Sequence, residues 1–494
     1  MELELKLLVA PADQRRLARH PLLRELKAGP VRSHRLNNIY YDTPALDLAA
    51  ERVALRLRER PGRRGSTWVQ TVKDAGSVTG GLHARQELEW PVNGPALDLA
   101  LIDASPLAGR FRRARVRDAL KPVFATDFRR SARLLRYSDG TTIELAMDTG
   151  EIRAGRRSEA IAEVELELVT GDPARLFELA HAIVAAVPAR VGHASKAERG
   201  YRLARGARLA PPQKAKPVAL ASGMTTAAAL RAIMGACVAQ MAANEAGVLA
   251  GRDPEYLHQF RVGMRRLRSC LSLAAVATGR EAIAPLAAEL RWLGGEMNPA
   301  RDWDVFMTET LPPLARTFAG AAGLDALKRT GARLRAQHNR AVREALATPR
   351  YQALMLALGR LLARDELDTL RVAPIATQGA SDAAGEASTG PVRHPLDAPV
   401  GEFAAAILDR RDRKLRKRGA GVPDATPEAR HEVRIAGKKL RYAAEFFASL
   451  YAKKRVTRYA KALVGIQDIL GALNDAAVTD RLLAEAQAKS PVDA

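Results

Sequence analysis

Over the first two hundred residues, apolar and polar positions alternate with period two in short stretches: Met1–Val9, Ala54–Glu59, Thr67–Lys73, Ala84–Trp90, Thr141–Asp148 and Ile161–Val169. That is the pattern of half-buried strands. The Gly/Pro-rich segments Pro61–Gly65 and Gly76–Gly81 supply turns, and Pro11–Lys27 and Pro173–Ala186 predict helices. A Pro/Lys/Ala stretch, Gly206–Gly223, reads as a linker. After about Thr225 the pattern becomes helical, with long Ala/Leu/Arg runs. It is divided by a Gly/Ala/Ser/Pro/Asp-rich segment, Val372–Val400. The expected architecture is α+β with two domains. An antiparallel sheet domain occupies residues 1–205 and a linker 206–223. An all-α domain follows over 224–488, its halves 224–371 and 400–488 joined by a flexible segment, 372–399.

The helical region repeats itself. His258-Gln-Phe-Arg261-Val-Gly-Met-Arg265-Arg266-Leu-Arg268 matches His431-Glu-Val-Arg434-Ile-Ala-Gly-Lys438-Lys439-Leu-Arg441 at a constant offset of 173 residues. The same offset carries Asp302 onto Asp475 and Val305 onto Val478. Two separate blocks at one offset indicate duplicated halves. At 100° per residue, His258, Arg261, Arg265 and Arg268 fall within an arc of about 80°, opposite Phe260, Met264, Leu267 and Leu271. His431, Arg434, Lys438 and Arg441 do the same in the second copy. One basic stripe is ordinarily a solvated helix face. Two at identical offsets predict a groove for a long phosphate chain, without base readout.

Composition narrows the partners. The 494 residues, 47% hydrophobic and 27% charged, exclude a mostly disordered, collagen-like or membrane-spanning chain. No run of about 20 apolar residues predicts a membrane helix. The net charge of +23 favours a polyanion, although 62 Arg against 16 Lys also fits the codon bias of a GC-rich genome. Aromatic residues are only 5%, so nucleic acid finds little support. Cys237 and Cys270 lie in apolar helical stretches and read as reduced core residues. No P-loop and no zinc-binding spacing is found. His181 and His193 read as structural, and the runs Arg410–Arg418 and Lys453–Arg458 as solvated faces that could extend a phosphate surface. With a strand pattern starting at Glu2 and no secretory pattern, the expected location is the cytoplasm.

The strands carry the chemistry. Alternate side chains share a face, which groups Glu2, Glu4 and Lys6; Arg56 and Arg58; Arg85, Glu87 and Glu89; Glu144, Ala146 and Asp148; and Glu163, Glu165 and Glu167. Three glutamates on one face repel unless cations neutralise them. A sheet closed into a barrel places one face of every strand inside. A lumen with both carboxylates and bases suits a phosphate-rich anion brought in with hard divalent cations. Metal-assisted hydrolysis at phosphorus follows as a route.

These residues resemble the CYTH domain, the triphosphate tunnel metalloenzymes. The resemblance runs over about residues 1–205 through Glu2-x-Glu4-x-Lys6, Arg35, Tyr40-Tyr41-Asp42-Thr43, Arg56-x-Arg58, Lys73, Arg85-x-Glu87-x-Glu89, Asp148-x-Gly150-Glu151, Glu163-x-Glu165-x-Glu167 and Ser195-Lys196-x-x-Arg199-Gly-Tyr201. It implies an eight-stranded antiparallel tunnel that cleaves a linear triphosphate with Mg²⁺ or Mn²⁺. It further implies a catalytic set of Glu2, Glu4 and Lys6, and Glu2, Glu4, Asp148, Glu163, Glu165 and Glu167 around metal. Arg35, Arg56, Arg58, Lys73, Arg85, Arg130 and Lys196 then hold phosphate. Parity admits only one of Arg129 and Arg130 inside, and Arg130 is preferred.

The helical region resembles the CHAD domain over about Thr225–Lys489, through both histidine blocks, Arg301-Asp302-x-Asp304-Val305 and Gln467-Asp468-x-Leu470-Gly471-x-Leu473-Asn474-Asp475. This implies two pseudo-symmetric four-helix bundles that bind inorganic polyphosphate. The implied contacts are His258, Arg261, Arg265, Arg266, Arg268, His431, Arg434, Lys438, Lys439 and Arg441. Pro299, just before Arg301, departs from the family pattern. The expected function is hydrolysis of inorganic triphosphate to pyrophosphate and phosphate, beside polyphosphate binding. The alternatives are a non-catalytic polyphosphate-binding protein and a tunnel enzyme acting on thiamine triphosphate, or on ATP as an adenylate cyclase.

Overall fold

The computed structural model describes residues 2–489 apart from 63–64, 75, 80, 208, 364–393 and 421–425. Most of the expected connector 372–399 therefore lies outside the described residues. The chain divides into two units, residues 1–211 with 347–364 and residues 212–346 with 365–494. The expected first helical half, 224–371, thus contains a helix, Pro349–Ala363, that the structure groups with the N-terminal unit.

That first unit is built on one antiparallel sheet. Its strands are β1 (Glu2–Leu8), β2 (Arg32–Asp42), β3 (Ala54–Gly62), β4 (Gly65–Lys73), β5 (Ser77–Thr79), β6 (Leu82–Arg85), β7 (Glu87–Val92), β8 (Lys121–Arg136), β9 (Thr142–Ala154), β10 (Arg157–Thr170) and β11 (Arg190–Val191). They run in the order β5-β6-β1-β10-β9-β8-β2-β3-β4-β7, with β11 beside β1. The two ends of this order meet. Strands β6 and β7 are one extended segment broken only at Gln86, the first part pairing with β1 and the second with β4. At the break, Asp74 bridges the gap: its N–H donates to the Gln86 carbonyl at 3.2 Å, and its Oδ1 accepts the Gln86 N–H at 3.1 Å. Counted so, β1, β2, β3, β4, β6–β7, β8, β9 and β10 close an eight-stranded ring, with β5 and β11 as short additions.

Period-two patterning gives the ring two chemically distinct faces. Leu5 and Leu7 are fully buried on the outer face, against the helix Ala174–Ala186; Leu55 and Val72 pack outside with Ile102 and Phe111. The inner face changes character along the strands. At one end Leu36, Tyr40, Phe124, Phe128, Ile152 and Ile161 form an apolar floor with Tyr201. Tyr201 comes from the helix Lys196–Ala204, which a Ser195–Glu198 capping box starts. Charged side chains occupy the rest. Close approach requires glycine at several positions, two of them beside this floor. A Cβ on Gly200 would lie 2.0 Å from the Phe124 ring, and one on Gly150 would lie 2.2 Å from the Asp127 carbonyl oxygen and 2.4 Å from the Phe128 Cα.

In the second unit the repeat is visible in the helices. Thr226–Ala250, Pro254–Thr278 and Arg280–Val305 correspond to Val400–Gly419, Pro427–Phe446 and Lys453–Lys489. The second and third pairs start 173 residues apart. The helix Leu324–Ala347 completes the first half, while the last helix sends Leu482 and Ala486 into the core around Trp303, Phe306 and Leu334. Pro299 does not end its helix, which runs through it to Val305. Cys237 and Cys270 are free and buried, and burial pushes the Cys237 thiol up to about 11. One helix, Thr226–Ala250, has the length and mean hydropathy (1.3) of a membrane span, contrary to the expectation from sequence. Its alanines and glycines raise the value. Within the fold it packs on protein, with buried Gln240 bonded to Gln259 and Asn244 to the Gln213 carbonyl.

A Gly150→Ala substitution meets backbone rather than a movable side chain. It is expected to destabilise the first unit by at least the upper end of the ~1–3 kcal/mol typical of overpacking. Denaturant unfolding measures this, and a loss below about 1 kcal/mol would contradict the close approach described.

Candidate active site

Three rows of paired residues cross the inner face of β1, β10, β9 and β8. The deepest runs Leu8, Glu163, Asp148, Arg130; the next Lys6, Glu165, Ala146, Ala132; the third Glu4, Glu167, Glu144, Leu134. They differ in how their charges are met.

The two deeper rows are balanced internally. Lys6 Nζ donates to Glu4 Oε1 at 2.8 Å and to Glu163 Oε1 at 3.0 Å, and it also bonds Glu165. Lys196, at the start of its helix, donates to Asp148 Oδ2 at 2.6 Å, to Glu165 Oε1 at 2.8 Å and to Glu163. Arg130 grips Asp148 with two parallel bonds of 2.9 and 2.7 Å and also reaches Glu165. One turn along from Lys196, Arg199 donates to Glu163 Oε2 at 2.8 Å. Asp148 and Glu163 are 0% exposed, and burying a carboxylate without such partners is costly. Burial pulls Lys6 down, but Glu163, Glu165 and Glu4 outweigh it and hold the ammonium well above its usual range. Burial likewise opposes ionisation of Glu165, and Lys196, Lys6 and Arg130 overcome it.

The third row is different. Glu4, Glu167 and Glu144 sit directly opposite one another on adjacent strands, with Glu2 two residues along β1. Like charges so placed destabilise a sheet unless a cation lies between them. Among the described residues no hydrogen bond or ion pair reaches Glu144 or Glu167. Burial first, then Glu144 and Glu4, push the Glu167 carboxyl up. Burial and the neighbouring Glu87 push Glu2 up to about 8 against the pull of Lys73. Across the lumen the deficit is reversed. Arg56 is paired with Glu87 and Glu89 at 2.9 and 3.1 Å, and Lys73 reaches Glu2 at 3.5 Å and also pairs with Glu87. Among the described residues Arg58 has only Asn38 Oδ1 at 2.9 Å and Glu89 at 3.7 Å. Burial, then the cations Arg56 and Arg130, push its guanidinium down to about 9. The lumen therefore carries carboxylates short of a cation opposite a guanidinium short of an anion.

The carboxylate oxygens of Asp148, Glu163 and Glu165 lie within 4.8 Å of one another, a spacing that suits a metal. Their oxygens are already taken by Lys6, Lys196, Arg130 and Arg199, so this triad anchors bases. The oxygens of Glu144 and Glu167 are taken by no base among the described residues, and with Glu2 and the Lys6-bonded Glu4 beside them they form a second set of carboxylates of the kind a hard divalent cation takes.

In the helical unit the two histidine-bearing helices bring Arg265 close to Arg434 and Lys438. Burial, then Arg434, Arg265 and Arg441, push the Lys438 ammonium down to about 8. A cavity of about 870 Å³ opens beside them. Arg265, Arg268, Lys438 and Lys439 line it together with bases from both flanking helices. In all, ten of its lining residues are Arg or Lys and none is acidic.

Family comparison agrees with both halves of this picture: the CYTH domain matches residues 1–201 and the CHAD domain residues 232–484. The chain belongs to the CHAD family and carries a CYTH domain ahead of it. It is 32% identical over 206 residues to the inorganic triphosphatase of Haemophilus influenzae, covering 41% of this chain and 54% of that protein. The chain thus matches about half the length of that relative. An uncharacterized protein of Mycobacterium tuberculosis is 28% identical over 481 residues, 90% of this chain and 81% of its own. The crystal structure of the CHAD domain from the plant Ricinus communis is 36% identical, with a TM-score of 0.47, over 57% of this chain and 86% of that one.

The CYTH lumen brings together Glu2, Glu4, Lys6, Arg56, Arg58, Lys73, Arg130, Asp148, Glu163, Glu165, Glu167 and Lys196. Backbone pairing sets Arg85 opposite Glu2. Arg35 is a correction. Its neighbour across β8 is Arg129, on the outer face; its side chain is 67% exposed and bonded to Asp127 at 2.7 Å. Residues of β2 that face inward, such as Asn38 and Tyr40, are even-numbered, and Arg35 has the wrong parity. Glu144 and Arg199 were not expected in the site. The spacing Glu144-x-Ala146-x-Asp148 and the turn from Lys196 to Arg199 were the available signals.

In the CHAD domain the ten expected residues separate. Arg265, Arg268, Lys438 and Lys439 line the cavity; His258, Arg261, His431, Arg434 and Arg441 do not. Arg261 instead donates to Asn298 at 2.6 Å. Arg266 is a second correction. It is buried, paired with Glu445 and stacked over the Phe446 ring at 5.2 Å, because it projects a full 100° from Arg265 toward the neighbouring helix. Conversely Arg410, Arg411, Lys414 and Arg418, expected as a solvated run, line the cavity.

Glu163→Gln removes one buried negative charge from among Lys6, Lys196 and Arg199. It is expected to destabilise the CYTH domain by about 3–5 kcal/mol, measured by chemical denaturation. A change within about 1 kcal/mol would mean that the deep rows are not charge-balanced as described.

Proposed function

We propose that the CYTH domain hydrolyses inorganic triphosphate to pyrophosphate and phosphate with Mg²⁺ or Mn²⁺, and that the CHAD domain binds inorganic polyphosphate. The observation that carries the first half is the pair of opposed deficits in the lumen: a complex of a divalent cation with a short phosphate chain satisfies both. The name of the Haemophilus relative supports the substrate. In this reading Glu2, Glu4, Glu144 and Glu167 hold the cation. Arg56, Arg58, Lys73, Arg85 and Arg130 hold phosphate oxygens, Arg58 most directly because its own charge is least compensated. Lys6 and Lys196 lie deeper and are paired with Asp148, Glu163 and Glu165, so the floor of the site is held in place before the anion arrives and needs no reorganisation then. The plug of Phe124, Tyr40 and Tyr201 closes one end and limits water to the charged side. When bound, the cation supplies charge neutralisation on phosphate oxygens and lowers the pKa of the attacking water.

Phosphate release from inorganic triphosphate, with each metal, tests this. Release is expected to require the metal and to fall on the order of 10²-fold or more in Glu4→Ala. Arg35→Ala is expected to stay within about twofold, as befits an exposed pair. No release with either metal from folded protein, or a clear preference for thiamine triphosphate or ATP, would remove the assignment.

Polyphosphate binding is supported by the all-basic cavity and by Lys438. A polyanion favours the charged ammonium, so binding takes up a proton wherever Lys438 is neutral in the free protein. Affinity is therefore expected to be greatest below pH 8 and to fall above it, by up to about tenfold per pH unit. Lys438→Met should flatten that dependence, and titration calorimetry at pH 7, 8 and 9 reads it. A wild-type affinity independent of pH over this range would exclude Lys438 from the site.

A further inference from the structure

The helix Pro349–Ala363 begins one residue after the helix Leu324–Ala347, yet it packs within the CYTH unit, against the helix Ala174–Ala186, the strap strand β11 and β5. Its Tyr351, Leu354, Met355 and Leu358 are buried, and so is one polar side chain, Gln352, at 0% exposure. Gln352 Oε1 accepts the Val191 N–H at 2.8 Å. Strand β11 is only two residues long and pairs with β1 on one side, Val191 opposite Leu7. Successive N–H groups of a strand point to opposite sides. The Gly192 N–H thus turns to β1 and donates to the Lys6 carbonyl at 2.8 Å, while the Val191 N–H turns away and is met by Gln352 in place of a further strand.

This strap adjoins Lys6 and leads into the helix that carries Lys196. Gly192 lies against the Lys6 stem so closely that a Cβ there would be 2.9 Å from the Lys6 Cγ. Its carbonyl is 3.3 Å from His83 Nε2. Three residues further on, Ser195 caps the helix that delivers Lys196.

We propose that the helix Pro349–Ala363 braces the tunnel wall at strand β11, and that Gln352 is a positioning residue for triphosphate hydrolysis. It acts through Val191 and Gly192 on Lys6, and through the turn that follows on Lys196. This rests on the triphosphatase reading of the lumen. Its consequence is that a catalytic domain encoded by residues 1–205 depends on a side chain encoded some 150 residues later, between the two halves of the CHAD region.

The test uses the full chain and three variants. Gln352→Met keeps the volume and removes the acceptor, Gln352→Glu keeps an acceptor oxygen, and Leu358→Ala loosens the same helix without touching the strap. Hydrogen exchange over residues 188–195 and kcat and KM for inorganic triphosphate are measured well below every melting temperature. Gln352→Met is expected to accelerate strap exchange about tenfold and lower kcat about fivefold or more, with KM changed less; Gln352→Glu should return both to within about twofold of wild type. Leu358→Ala should lower the melting temperature at least as far but leave kcat near wild type. Should Gln352→Met not fold, Gln352→Asn, whose shorter amide cannot reach, replaces it. The proposal is overturned if strap exchange or kcat is unchanged in the acceptor-less variant, or if Leu358→Ala lowers kcat as much. If the wild type releases no phosphate, the triphosphatase reading fails by itself. Gln352 is then judged from calorimetric affinity for tripolyphosphate: weakened by Met and restored by Glu supports it, and unchanged affinity overturns it.

Discussion

Burying charge is costly unless it is paired, and the CYTH unit is organised around that constraint. An ion taken from water into a protein interior loses several kcal/mol of hydration, and the lumen contains at least seven such groups in two adjacent rows. Lys6, Lys196, Arg130 and Arg199 answer Asp148, Glu163 and Glu165. The pairing explains several otherwise unrelated features: why a helix plugs the floor and starts with a lysine, why Gly192 lacks a side chain where the Lys6 stem passes, and why Arg199 sits one helical turn beyond Lys196. With Glu4 bonded to Lys6 the layer is neutral, four bases against four carboxylates, and Glu144 and Glu167 beside it are left without a paired base among the described residues. What remains when the rest of the lumen has been compensated is a pair of carboxylates, Glu144 and Glu167, across from Arg58; on the proposed reading a cation and an anion fill these two deficits together.

Much of this was legible in the sequence because strand periodicity is a hard geometric rule. Once Glu2, Glu4 and Lys6 are placed on one face, the parities of Arg56 and Arg58, of Asp148, and of Glu163, Glu165 and Glu167 follow within each strand. Parity does not transfer between strands, and Arg35 shows the consequence. Its strand carries polar residues on both faces near that end, Arg32, Ser33, His34 and Asn37 among them, so no alternation marks the inward side. Glu144 was grouped on the correct face but not assigned a role, since its significance comes from lying opposite Glu167, a register that only pairing reveals. In the CHAD domain the 100° rule placed the basic stripe, but which flank of that stripe opens into a cavity depends on the flanking helices. These lend Arg280, Arg291 and Arg410 to it, while Arg266 is buried against Glu445 of the second histidine-bearing helix.

Helical periodicity was also silent on which unit a helix joins. Pro349–Ala363 has the same Ala/Leu/Arg character as its neighbours, and its apolar residues fit either a bundle or the outside of a sheet. The local cue is Gln352, an amide among Tyr351, Leu354 and Met355. In a bundle core such a group needs a side-chain partner; beside a two-residue strand it meets a backbone N–H that no other strand supplies. The polar exception in an apolar stretch, rather than the stretch itself, reports the docking site.

The two domains present different electrostatics to what are, on the proposed reading, two phosphate chains of different length. The CHAD cavity is lined by bases without acids, so a polyphosphate entering it is neutralised by the protein, and its binding should follow salt and pH. The CYTH lumen faces the chain with Arg58 on one side and Glu2, Glu4, Glu144 and Glu167 on the other, so phosphate alone meets as much repulsion as attraction. Only a phosphate that brings its own divalent cation gains from both walls. On the proposed reading the acidic row acts as a filter on the ligand's charge state, separating a cavity lined by bases alone from a lumen that favours a short phosphate accompanied by a divalent cation.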